Sequence, residues 1–105
     1  MSNTAHLTHW VGPEIPTEAA IRRVLEGEGL SFGRWSNGPL DVYFAHSHTY
    51  NKVIYVIAGG ITFTLPASGT SFTMKVGDRL DLPAGVVHEA IVSTLGVECF
   101  EAQYY

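Results

Sequence analysis

The chain predicts a small all-β fold, a sandwich or barrel with one short N-terminal α-helix. Brief runs rich in β-branched and aromatic residues recur from residue 30 to the C-terminus. Turn-forming residues separate them at short intervals, and only one stretch shows helical periodicity. With 105 residues, 46% hydrophobic and 15% charged, the chain suits one packed core and not a disordered segment.

In chain order, residues 1–12 read as a loosely attached arm in which His6 and His9 are solvated, and residues 13–105 as a single barrel domain. The helix lies in "PTEAAIRRVLEGEG": Thr17 caps it, Ile21, Val24 and Leu25 form its apolar stripe, and Gly27 stops it. Glu18–Arg22 and Arg22–Glu26 are i,i+4 pairs. Eight strands follow: "LSFGRWS", "LDVYFAHSH", "KVIYVIA", "ITFTL", "SFTMKV", "RLDL", "VVHEAIVS" and "VECFEAQYY". Gly59-Gly60 is read as a hairpin turn, and Asp78 as a residue shaping the turn at Gly77. Alternation places Val42, Phe44, His46 and His48 on one strand face. "KVIYVIA" is apolar on both faces apart from Lys52, so a helix, a sheet or a second subunit must cover it. Val53, Tyr55 and Ile57 are candidate contacts of a homodimer.

A formal net charge of −4 with scattered basic residues gives no stripe for nucleic acid. The single cysteine, Cys99, allows no intrachain disulfide and reads as a small buried hydrophobe. The N-terminus has no signal-peptide pattern, and no run approaches the roughly 18 apolar residues of a membrane span, so a cytoplasmic location is expected.

Chemistry concentrates in "AHSHTYNK" and "PAGVVH". His46 and His48, two residues apart on a strand, project to one side about 6.5–7 Å apart at the backbone and can converge on one ion. A further ligand must come from another strand. His88 is the candidate, sharing a face with Ala90 and Val92, where the small Ala90 leaves room beside the ring. Tyr50, in the loop after His48, is the tyrosine placed to reach a ligand; Tyr43, Tyr55 and Phe44 read as packing residues.

Two spaced motifs run through this region. The first is Gly38, His46-Ser47-His48, "TYN", Lys52, "VIYVIA" and Gly59; the second is Gly77, "DRLDL", Pro83-Ala84-Gly85, "VV" and His88. Together they resemble the paired motifs of the cupins, and over about half its length the chain looks like a small single-domain cupin. The resemblance implies a jelly-roll barrel with His46, His48 and His88 as metal ligands inside it. The sequence departs from the pattern in a longer spacer before His46, in Val92 at an asparagine position, and in Lys52 where the family has its glutamate ligand.

An ammonium beside a divalent ion is strongly repelled in a low-dielectric interior. Three arrangements resolve the conflict: a neutral amine, an ammonium turned onto Glu98, Glu101 or Asp41, or a metal-free pocket where Lys52 and the imidazoles grip an anion. Three neutral histidines suit zinc, iron, nickel, copper or manganese. The expected function is a metal-dependent enzyme of dioxygenase or isomerase type acting on a small organic acid or dicarbonyl compound. Lys52 and Tyr50 are its candidate catalytic groups. The alternative is a non-catalytic barrel that senses a small anionic ligand.

Overall fold

The computed structural model describes residues 5–105, so residues 1–4 of the expected arm lie outside the described residues. The described residues form seven strands and one helix: β1 (His6–Thr8), α1 (Glu18–Gly27), β2 (Phe32–Asn37), β3 (Val42–His46), β4 (Asn51–Leu65), β5 (Thr70–Lys75), β6 (Arg79–Leu82) and β7 (His88–Tyr104). All pairings are antiparallel, in the order β1-β6-β4-β7-β2, with β5 on β4 and β3 on β7. No helix among the described residues is long and apolar enough to cross a membrane.

Two long strands replace four of the expected short ones. Gly59-Gly60 is not a hairpin turn: β4 continues through it, and its register against β7 shifts between Val56 and Ala58 and again between Gly59 and Ile61. The first half of β4 pairs with β6 and the end of β7, while the second half pairs with β5 and the start of β7. Both long strands therefore bend from one sheet into the other, as bulged strands do at the corners of a closed sheet. Gly59 and Gly96, at φ +69° and +76°, take the left-handed backbone that this bend requires, and a Cβ on Gly59 would overlap the Gly96 carbonyl oxygen.

The expected arm is more firmly held than the sequence suggests. β1 pairs with β6, from His6 opposite Asp81 to Thr8 opposite Arg79. His9 Nδ1 lies 2.8 Å from Asp78 Oδ1, although the His9 side chain stays largely exposed. Asp78 does shape its turn, since its other oxygen accepts from Lys75 N–H at 3.0 Å.

Helix α1 begins as expected, with Ala20 N–H donating to the Thr17 hydroxyl oxygen at 3.1 Å. It runs through Gly27, and the left-handed residue lies two positions later, at Gly29. Of the two expected i,i+4 pairs, Glu18–Arg22 forms at 3.3 Å; the Arg22 guanidinium also lies 4.7 Å from the Phe100 ring centroid. Ile21 and Leu25 are fully buried against Val53, Tyr55, Phe100 and Ala102, with Ile57 packed beside them. The outer face of "KVIYVIA" is thus covered by the helix. The candidate dimer contacts Val53, Tyr55 and Ile57 are already buried or partly buried within the chain. Leu25→Ala is expected to cost about 2–5 kcal/mol, read as a lower urea midpoint, because it opens a cavity under the helix.

The other core fills the barrel: Ile54, Val56, Ile61, Phe63, Leu65, Met74, Leu80, Leu82, Ala90, Val92, Val97 and Cys99 are all at least nine-tenths buried. Cys99 is fully buried, and burial pushes its thiol pKa up, so it behaves as the expected small hydrophobe.

Candidate metal centre

The three motif histidines meet. His46 and His88 are paired directly across β3 and β7, and one ring nitrogen from each of His46, His48 and His88 lies within 4.8 Å of the others. Ring centroids are 4.8 Å apart for His46–His48, 4.4 Å for His46–His88 and 5.2 Å for His48–His88. Regular alternation does not achieve this. Tyr43 pairs with Ala90, yet His46 pairs with His88, so β3 carries one extra residue between them. That bulge flips the strand's parity. Tyr43 and His46 therefore both line the cavity, while Val42 and Phe44, expected on the histidine face, are turned out and largely exposed.

Backbone contacts aim the rings. His46 Nδ1 lies 2.6 Å from the Phe44 carbonyl oxygen and His88 Nδ1 lies 3.0 Å from that of Val86. With Nδ1–H donating to these carbonyls, the Nε2 lone pairs are left for the cluster. The loop carrying His48 is stitched to the Pro83-Ala84-Gly85 turn: Gly85 N–H donates to the His48 carbonyl at 2.8 Å, and Ala84 N–H to Asn51 Oδ1 at 2.9 Å. The two motifs are thus held together by their own turns.

Burial disfavours the charged form of two of these imidazoles, His88 and His48. It pushes His88 down to about 4, with the neighbouring His46, Lys52 and His48 charges adding to the shift. His48 is lowered by burial first and by the Lys52 ammonium second. In the metal-free protein the stability that neutral His88 contributes is complete above its unfolded value near 6.5. It is lost as pH falls from there through about 4. Urea unfolding should show about 2 kcal/mol less stability at pH 4.5 than at pH 7.5 from this group. The His88→Gln variant, titrated in parallel, should lack that component.

Lys52 adopts the second of the three expected arrangements. Its Nζ lies 3.3 Å from Glu101 Oε1, and the side chains are only 13% and 12% exposed. It still lines the cavity, together with Trp35, Tyr43, His46, Ile54, Phe63, His88 and Glu101, around a volume of about 190 Å³. Tyr50 packs its ring 5.0 Å from that of His48, with Lys52 Nζ 6.0 Å from its centroid; it is not among the cavity-lining residues. Glu101, Trp35 and Phe63 are the lining residues that the spacing of the histidines does not reveal.

No family model matches the chain, and no curated protein sequence matches it. Solved structures do resemble it. A DUF861-family protein from Thermotoga maritima gives a TM-score of 0.61 at 16% identity, covering 93% of this chain and 97% of that one. A cupin-2 domain protein from Shewanella frigidimarina gives 0.59 at 16% identity, over 70% of this chain and 69% of that one. The chain has the cupin fold. Another structure similar to this chain is the polyketide cyclase RemF from Streptomyces resistomycificus, with a TM-score of 0.62 at 19% identity, over 72% of this chain and 55% of that one.

The donor set of this chain is compatible with a divalent metal. It offers three imidazole nitrogens, and backbone carbonyls orient two of the rings. His48 Nδ1 is buried with no hydrogen-bond partner among the described residues. A buried, unpaired imidazole nitrogen is costly unless something accepts its proton or its lone pair. The ammonium that stands at the cupin glutamate position is neutralised locally by Glu101, which removes much of the repulsion an incoming cation would meet.

Proposed function

We propose that this cupin holds one divalent transition metal on His46, His48 and His88 and acts on a small organic acid or dicarbonyl compound at the open side of the ion. Convergence of three ring nitrogens within 4.8 Å carries the reading, with His46 and His88 also lining the cavity of about 190 Å³. A metal bound there would supply Lewis acidity, polarising an oxygen of the substrate. The chain's own residues do the rest. Phe63, Ile54 and Trp35 exclude water, the carbonyls of Phe44 and Val86 keep two imidazoles oriented, and Lys52 brings positive charge to meet an anion. That RemF, which shares the fold, is a polyketide cyclase supports an enzymatic use of such a pocket; dioxygenase or isomerase chemistry is the class proposed here. Lys52 in the cavity favours one second reading, a non-catalytic barrel that binds an organic anion without an ion.

Calorimetric titration of chelator-treated protein with zinc, nickel and cobalt tests the two. One ion bound per chain is expected. Absence of binding by a folded protein would falsify the metal centre, and a melting temperature raised by an organic anion would then favour the second reading.

A further inference from the structure

The cavity has a charged wall apart from the imidazole cluster. Glu101 is fully engaged there: Trp35 Nε1 donates to Oε1 at 3.0 Å, Gln103 Nε2 to Oε2 at 2.9 Å, and Lys52 Nζ stands 3.3 Å from Oε1. Three donors converge on one carboxylate, which fixes it. Lys52 is not used up. An ammonium has three N–H donors, and Glu101 is the one ionic partner found for it among the described residues. An ammonium that lines the cavity with donors to spare can take an anion there through charge-assisted hydrogen bonds.

Beside this charge the wall is aromatic. Trp35 and Tyr43 meet edge to face at 6.1 Å, Phe63 lies 6.2 Å from the His88 ring, and all line the same cavity. Its volume of about 190 Å³ compares with the roughly 150 Å³ of an apolar cavity that holds benzene. One six-membered ring and one small charged group fill it. A second carboxylate on the ligand would face Glu101 with no cation to receive it.

We propose that the cavity takes a flat monocarboxylate of about benzoate size, its carboxylate on Lys52 Nζ and its ring against Trp35, Tyr43 and Phe63. Glu101 acts as the positioning residue that holds the ammonium in place. The proposal deepens the organic-acid reading of the same site and rests on it, but the seat is built without the ion.

Benzoate is therefore titrated into both chelator-stripped and zinc-loaded protein by calorimetry, with benzamide and cyclohexanecarboxylate as comparison ligands. Benzoate should bind both forms, and each comparison ligand should bind about 10-fold or more weakly. Lys52→Met should weaken benzoate about 10-fold or more while zinc still binds, and Lys52→Arg should restore most of the affinity. Glu101→Gln removes the carboxylate that shares the ammonium and should widen the preference for benzoate over benzamide, which a merely structural role would leave unchanged. If Lys52→Met does not fold, the Lys52→Met/Glu101→Gln double variant, which removes both charges together, takes its place with the same expectation. Equal binding of benzoate and either comparison ligand overturns the proposal, as does benzoate binding that ignores the loss of Lys52. Zinc binding with no benzoate binding sinks this seat and spares the metal centre; benzoate binding with no zinc binding does the reverse.

Discussion

His88→Gln should weaken zinc or nickel binding by more than about 100-fold while leaving the barrel folded. Loss of an outer-shell partner of a metal ligand already costs about 10–100-fold, and His88 supplies one of the three nitrogens that converge among the described residues. Glutamine fills much of the imidazole's volume, and its amide can still donate to the Val86 carbonyl that His88 Nδ1 meets now. It has no basic nitrogen to offer a metal. His88 is 2% exposed, so the variant must be shown folded, by its cooperative urea transition, before its metal titration is read. His9→Gln is the matched control. It removes a histidine that contacts Asp78 and takes no part in the cluster, and it should leave metal affinity unchanged. Retention of tight binding by His88→Gln would mean that the converged rings are not the ligands.

Gly59→Ala is expected to destabilise the protein by about 2–5 kcal/mol, a fall of roughly 10 °C or more in Tm. Two costs add. The residue sits at φ +69°, where an L side chain is strained, and its new Cβ would occupy the space of the Gly96 carbonyl oxygen on the adjoining strand. That oxygen belongs to backbone and also accepts from the Ser93 hydroxyl at 3.1 Å, so it is anchored. Gly27→Ala provides the contrast. Gly27 lies in helix α1, has nothing within 4 Å of a built Cβ, and should tolerate alanine or gain up to about 1 kcal/mol from it. A Gly59→Ala protein as stable as the parent would show that the two long strands cross with more room than the geometry indicates.

Much of this architecture is legible in the sequence, and the parts that are not share one physical origin. The helix, most strand cores and the meeting of His46, His48 and His88 follow from periodicity and from paired motifs of fixed spacing. What alternation misreads is parity wherever a bulge intervenes. The extra residue between Tyr43 and His46 turns Phe44 outward and brings Tyr43 inward, and nothing in "VYFAH" announces it. Gly59-Gly60 fails for the same reason: two glycines suit a hairpin turn and a bent, continuous strand equally well, and only the pairing with β7 decides. Glu101 is a subtler case. It shares parity with Val97 and Cys99, both of which face the barrel core, whereas Glu98 shares parity with Phe100, which lies under the helix. The signal for an inward carboxylate is present in "VECFEA", but reading it requires knowing which face of β7 the helix covers.

The membership of β4 and β7 in both sheets also bears on how the chain assembles. Their ladder runs from Asn51 opposite Tyr104 to Thr64 opposite Glu89, so it joins segments far apart along the polypeptide. Neither sheet can be completed from neighbouring residues alone, and closure of these long loops must precede the contacts that reward it. Refolding should therefore be slow for a domain of this size, in the millisecond-to-second range, and the two sheets should gain amide-exchange protection together.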